Sequence, residues 1–160
     1  CNFPLMPRIR VALMFDQAEG EAPAFDHANL LDILARADAA RLAAFAESLL
    51  PGLGAIEVVQ SRTGLVMLPM RDTVEGTDFH LGEVLVAEAH IRSGGTDGYG
   101  MVVGRDLERA MAMAVVDAAA AIGQTAEIRR FLRAEALAQA TADTARLCQI
   151  EATRVDMETF

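Results

Sequence analysis

The chain has 160 residues, enough for one domain with a single sizeable core, and a net charge of −9. That charge argues against a nucleic-acid partner, because phosphate binding needs a basic stripe. Hydrophobic residues make up 52% and mean hydropathy is +0.25, yet no apolar run approaches the roughly 20 residues of a membrane span. Apolar surface in such excess points to a protein partner. All 14 basic residues are arginine, which rules out a Walker lysine, a Schiff-base lysine and a lysine general base. The two cysteines, Cys1 and Cys148, lie at opposite ends. They form no disulfide ladder, as suits a cytoplasmic protein.

Residues 1–26 form a poorly readable extension broken by Pro4, Pro7, Gly20 and Pro23. Val11–Phe15 reads as a short apolar strand. Cys1 lacks the Gly/Ser linker of a lipoprotein, and Met14 offers an alternative start. From residue 27 a single domain is expected. Asp26 or Asn29 caps a first helix carrying Leu30, Leu31, Ile33 and Leu34. Asp38 caps a second helix with Leu42, Phe45 and Leu49 at helical spacing, ended by Pro51-Gly52.

About four strands follow by pattern. Ala55–Gln60 is the first, and Leu65–Met70, apolar on both parities, reads as buried on both faces. Phe79–Arg92 alternates, Ser93–Gly98 turns, and Tyr99–Val103 returns antiparallel. A helix from Asp106 to about Ile122 is apolar all round, so one face should cover the sheet and the other should meet another chain. The last helix, from about Glu127 into the 150s, turns polar or small over Gln139–Ala145 and reads as a docking arm. The fold class is α+β: short N-terminal helices, an antiparallel meander, and two C-terminal helices covering the sheet and docking to partners.

Catalytic signatures are sparse. On a regular strand His80 and His90 would share a face but stand about 33 Å apart at ~3.3 Å per residue, so they cannot share a metal. With two distant cysteines no metal set is expected. Glu83 shares parity with Phe79, Leu81 and Leu85, so an unbroken strand would aim its carboxylate at the core, whereas a bulge at Gly82 would turn it outward. Gly104-Arg105-Asp106 joins a strand to a helix. It reads either as an anion site, with Arg105 as clamp, or as ordinary capping by Asp106. No catalytic residue is assigned.

Several segments together resemble the PhnG family. They are Arg62-Thr63-Gly64-Leu65-Val66, Phe79–Leu85, Ala89-His90-Ile91-Arg92, Gly98–Asp106, Ala114–Ala118 and Ala152–Met157. The resemblance spans roughly residues 29–160 and implies a subunit of the carbon–phosphorus lyase core complex. Its expected partners are PhnH-, PhnI- and PhnJ-like subunits in a symmetric hetero-oligomer. The complex would take ATP as substrate, replacing its adenine with a phosphonate at the ribose anomeric carbon. An iron–sulfur cluster is expected on the PhnJ-like partner, and no cofactor on this chain alone. Two other readings stand beside it. One is an anion-sensing domain built on the Gly104–Asp106 turn. The other is a contributor of Glu83, Arg105 or His80 to a composite site between chains.

Overall fold

The computed structural model describes residues 26–123 and 125–153. The expected Val11–Phe15 strand, most of the extension and most of the Ala152–Met157 motif lie outside them. The elements run α1 (His27–Arg36), α2 (Ala39–Leu53), β1 (Ile56–Arg71), β2 (Asp78–Ser93), β3 (Thr96–Val103), α3 (Leu107–Ala121) and α4 (Thr125–Ala152). The class is α+β as expected, with one antiparallel sheet in the order β1-β2-β3. Among the described residues there are three strands rather than about four. Ala55–Gln60 and Leu65–Met70 belong to one strand of 16 residues, because the polar stretch between them stays paired: Ser61 faces Ala89, Arg62 faces Glu88 and Thr63 faces Ala87.

Asp26 accepts the Ala28 N–H at the start of α1, and Asp38 accepts the Arg41 N–H at the start of α2. Pro51-Gly52 does not end α2. Pro51 sits in its last turns, where little of the helical ladder remains to be broken, and the helix stops at Gly54. The β2–β3 hairpin turns on Gly94-Gly95, both at positive φ, the requirement of a tight two-residue turn.

Helix α3 is the centre of the molecule. One side lies on β3 and β2, and the other is covered by α1, α2 and α4. Ala110 and Ala112–Ala119 are all buried. The expectation that its second face meets another chain is therefore corrected: this chain supplies the cover. Contact with the sheet is unusually close. Gly98 and Gly100 of β3 face the small-residue row Ala110, Ala114 and Ala118, and a Cβ on either glycine would collide with α3 backbone. Pairs of glycines opposite alanines let a helix lie almost directly on a strand.

Polar struts fix the helices. Arg109 Nη2 on α3 donates to the Ala35 and Ala37 carbonyls at 2.8 and 2.7 Å, satisfying the C-terminal end of α1. The buried Glu135 on α4 pairs with Arg41 and accepts the Asp38 N–H at 3.3 Å. Gln139 donates to the Ile33 carbonyl at 2.9 Å. Past that point α4 stands mostly clear of the core, with Leu147 and Ile150 exposed.

Candidate subunit interface

Strand alternation sends Ala87, Ala89, Ile91 and Ser93 of β2 under the helices, and Glu88, His90 and Arg92 to the opposite face. No helix packs on that opposite face among the described residues, and cross-strand pairs build a polar and aromatic lattice on it. Glu88 accepts from Gln60 at 3.0 Å and Arg62 at 3.2 Å. His90 stacks on its partner Tyr99, ring centroids 4.3 Å apart. Its Nε2 lies 3.0 Å from Asp97, which also accepts from Arg92 Nε at 2.9 Å. The hydrogen bond with His90, then the hydrogen bond and charge of Arg92, hold the Asp97 carboxyl below its usual pKa against the opposing effect of desolvation. His90 is thus oriented on two sides.

Tyr99 explains how the Gly98-Tyr99-Gly100 segment serves both layers. The flanking glycines admit α3, while the tyrosine side chain points to the open face. Its N–H is accepted by buried Asp117 of α3 at 2.9 Å. His27, the first residue of α1, meets the other Asp117 oxygen at 2.7 Å. A cleft of about 390 Å³ opens there, with Leu30, Ile128 and Leu132 in its lining and Arg129 beside them. The His27–Asp117–Tyr99 chain reads as a staple between α1, α3 and the edge strand.

Beyond the Val86–Val103 pair, β1 and β2 continue alone as a two-stranded ribbon, from Leu65 opposite Leu85 to Arg71 opposite Asp78. Leu65–Met70, expected to be buried on both faces, is instead exposed: Leu65 is 62%, Val66 38% and Met67 53% accessible. The apolar pattern was real, but the helical layer ends before reaching it. The same geometry decides Glu83. It keeps the parity of Leu85 and Ala87, yet lies in solvent because the ribbon has left the core. The irregularity expected at Gly82 falls one residue earlier, at Leu81, which is skipped between Gly82 and His80.

His80 is exposed on the outer ribbon, separated from His90 by that bulge. Gly104, at φ +107, makes the turn out of β3 and donates its N–H to the Leu85 carbonyl at 2.9 Å. Asp106 accepts the Arg109 N–H at 2.9 Å, and Arg105 is exposed beside it. The five residues singled out in the sequence therefore fall into two groups, the Gly104–Asp106 turn near the ribbon's base and Glu83 with His80 along the ribbon. The His90–Asp97–Tyr99 cluster was missed. Its signal was cross-strand register, which a single sequence does not fix. Among the described residues no group of three or more His, Cys, Asp or Glu is arranged to hold a metal ion. No helix among them is long and apolar enough to cross a membrane.

The Gly104–Asp106 turn gives a direct test. If Asp106 acts as a cap, Asp106→Ala should lower stability by about 0.5–2 kcal/mol, while Arg105→Ala shifts the urea midpoint little. Loss of anion binding on Arg105→Ala, with the fold intact, would assign the anion role instead.

Fold and surface together define an α+β domain with a buried core and, on the ribbon, an apolar surface that its own helices leave uncovered. The family of phosphonate metabolism protein PhnG matches over residues 26–160, and the chain belongs to that family. As a member it is a phosphonate-metabolism subunit. No curated protein sequence matches the chain closely enough to be counted a relative.

Proposed function

We propose that this chain is an accessory subunit of the carbon–phosphorus lyase core complex, without catalytic activity by itself. It would support the step in which a phosphonate oxygen bonds to the ribose anomeric carbon of ATP. In that step the C–N bond to adenine breaks, and adenine leaves with the electron pair and takes up a proton. PhnH-, PhnI- and PhnJ-like subunits are its partners in a symmetric cytoplasmic hetero-oligomer. The iron–sulfur cluster of the later cleavage belongs to the PhnJ-like subunit, and this chain holds no cofactor alone. The observation that carries the reading is the ribbon, whose apolar side chains the chain's own core leaves uncovered. Exposed apolar surface of this kind marks an interaction site.

The test is reconstitution. The partner subunits should convert ATP and a phosphonate only when this chain is present, and the chain alone should convert neither. Full activity without it would overturn the accessory role. Activity of the isolated chain would overturn its non-catalytic part.

A second reading, a composite active site between subunits, is favoured by one feature: His90 is held by Asp97 and Tyr99 at the edge of solvent. General acid–base groups contribute typically about 10²–10⁴-fold. In an assembled complex His90→Gln should then lower kcat by about 100-fold with assembly unchanged. Unaltered kcat would leave His90 a surface strut.

A further inference from the structure

We propose that the Leu65–Leu85 ribbon is inserted into an apolar slot on a different subunit, a slot covering both ribbon faces and carrying arginine or lysine at its far end. The inference rests on the accessory-subunit reading and specifies its contact. A ribbon that merely lay on a surface would be apolar on one face and polar on the other. Here Leu65, Met67 and Leu85 occupy one face, with Glu83 among them opposite Met67, and Val66 and Val84 the other, so the slot must also bring a cation to that carboxylate. A two-stranded ribbon is marginal in water by itself, so both faces call for cover.

Charge selects the occupant. The tip holds Asp72, Glu75 and Asp78 against one cation, Arg71, a net of −3 + 1 = −2. Arg71 is itself engaged, donating to the Gly76 carbonyl at 2.9 Å and lying 3.7 Å from Asp78. The Asp72 carboxyl accepts the Glu75 and Val74 N–H groups at 2.8 and 3.2 Å, which lowers its pKa and keeps it ionised. Val74 projects from the turn, 88% exposed. A second copy of this chain would oppose one acidic tip with another, in a protein whose net charge is already −9. Like charges brought together at an interface select against that pairing. A basic partner removes that repulsion and gains steering.

The experiment uses the full chain assembled with the other subunits of the complex. A photo-crosslinking benzoylphenylalanine is placed at Met67 for one face and, separately, at Val66 for the other. Both should crosslink to the same subunit, and neither to a second copy of this chain. Glu75→Arg should slow association about tenfold at low salt, with the difference shrinking as salt rises. An unchanged thermal midpoint of that variant excludes misfolding. Crosslinks from one face only, crosslinks between copies of this chain, or no effect of Glu75→Arg would each overturn the slot. An assembled complex with an uncrosslinked ribbon overturns the slot alone. Failure of the unsubstituted chain to assemble overturns the accessory-subunit reading and the slot with it.

Discussion

Gly100→Ala is expected to cost about 3 kcal/mol, the upper part of the usual range for overpacking, and Gly100→Val to leave no folded protein. A Cβ at position 100 would sit 2.8 Å from the Ala114 nitrogen and nearer still to the Ala110 carbonyl. Both obstacles are main-chain atoms inside a helix, so no rotamer change relieves the clash. Relief would require lifting α3 off β3. That same helix is packed against α1, α2 and α4 on its other side, so the displacement would spread through the whole core. With a domain's net stability at roughly 5–15 kcal/mol, the alanine variant should survive with a lowered urea midpoint. The branched valine should fail to yield soluble protein. An alanine variant within about 0.5 kcal/mol of the parent, the scale of an innocuous surface change, would show that α3 does not approach β3 this closely.

The second large effect is expected in α4. From Ala140 to Ala152 the helix is exposed on nearly all sides, and its residues are mostly alanine, threonine and polar side chains. Such a segment depends on helix propensity alone, and isolated helices shorter than about 12–15 residues are marginal in water. Tethers to the rest of the fold include Gln139 on the Ile33 carbonyl and Asp143 3.6 Å from Arg36. Amides of 140–152 should therefore exchange rapidly in the isolated chain, while those around Leu132 exchange only through deep unfolding. In the complex, burial of Leu147 and Ile150 against another subunit should add about 25 cal/mol per Å² of apolar surface and slow exchange at least 100-fold. Since each factor of ten is about 1.4 kcal/mol, that slowing needs only the burial of two such side chains. Strong protection of 140–152 in the isolated chain would show that the helix stands without a partner.

Much of the fold was legible because its punctuation is local. Asp26, Asp38 and Asp106 all cap the helices expected of them, and the hairpin turns inside the expected Ser93–Gly98 segment, though only at Gly94-Gly95, with Thr96–Gly98 already paired as strand. Leu65–Met70 misled because apolarity on both parities does not by itself say whether a strand lies under a covering layer or runs past its end. Only the reach of α3 distinguishes the two. The same ambiguity, resolved the other way, applies to α3 itself, whose apolar circumference is satisfied by α1, α2 and α4. The His90–Asp97–Tyr99 cluster was illegible for a different reason. Residues 90 and 99 become neighbours through strand register, and Asp97 reads in sequence only as part of a turn. Gly98 reads in sequence as the end of a turn and Gly100 as part of the returning strand, yet their role is to make room for the α3 backbone.

The ribbon also has a mechanical side. Seven residue pairs at roughly 3.3 Å per residue extend about 23 Å from the last pair shared with β3. A flexion of about 10° at that base, where β3 stops supporting β2, displaces the tip by about 4 Å over this length. Small twists there become large excursions at Val74. If the ribbon docks as proposed, the slot would set the tip's position relative to the core, and a distance probe spanning Val74 and α3 would gauge how firmly it is held.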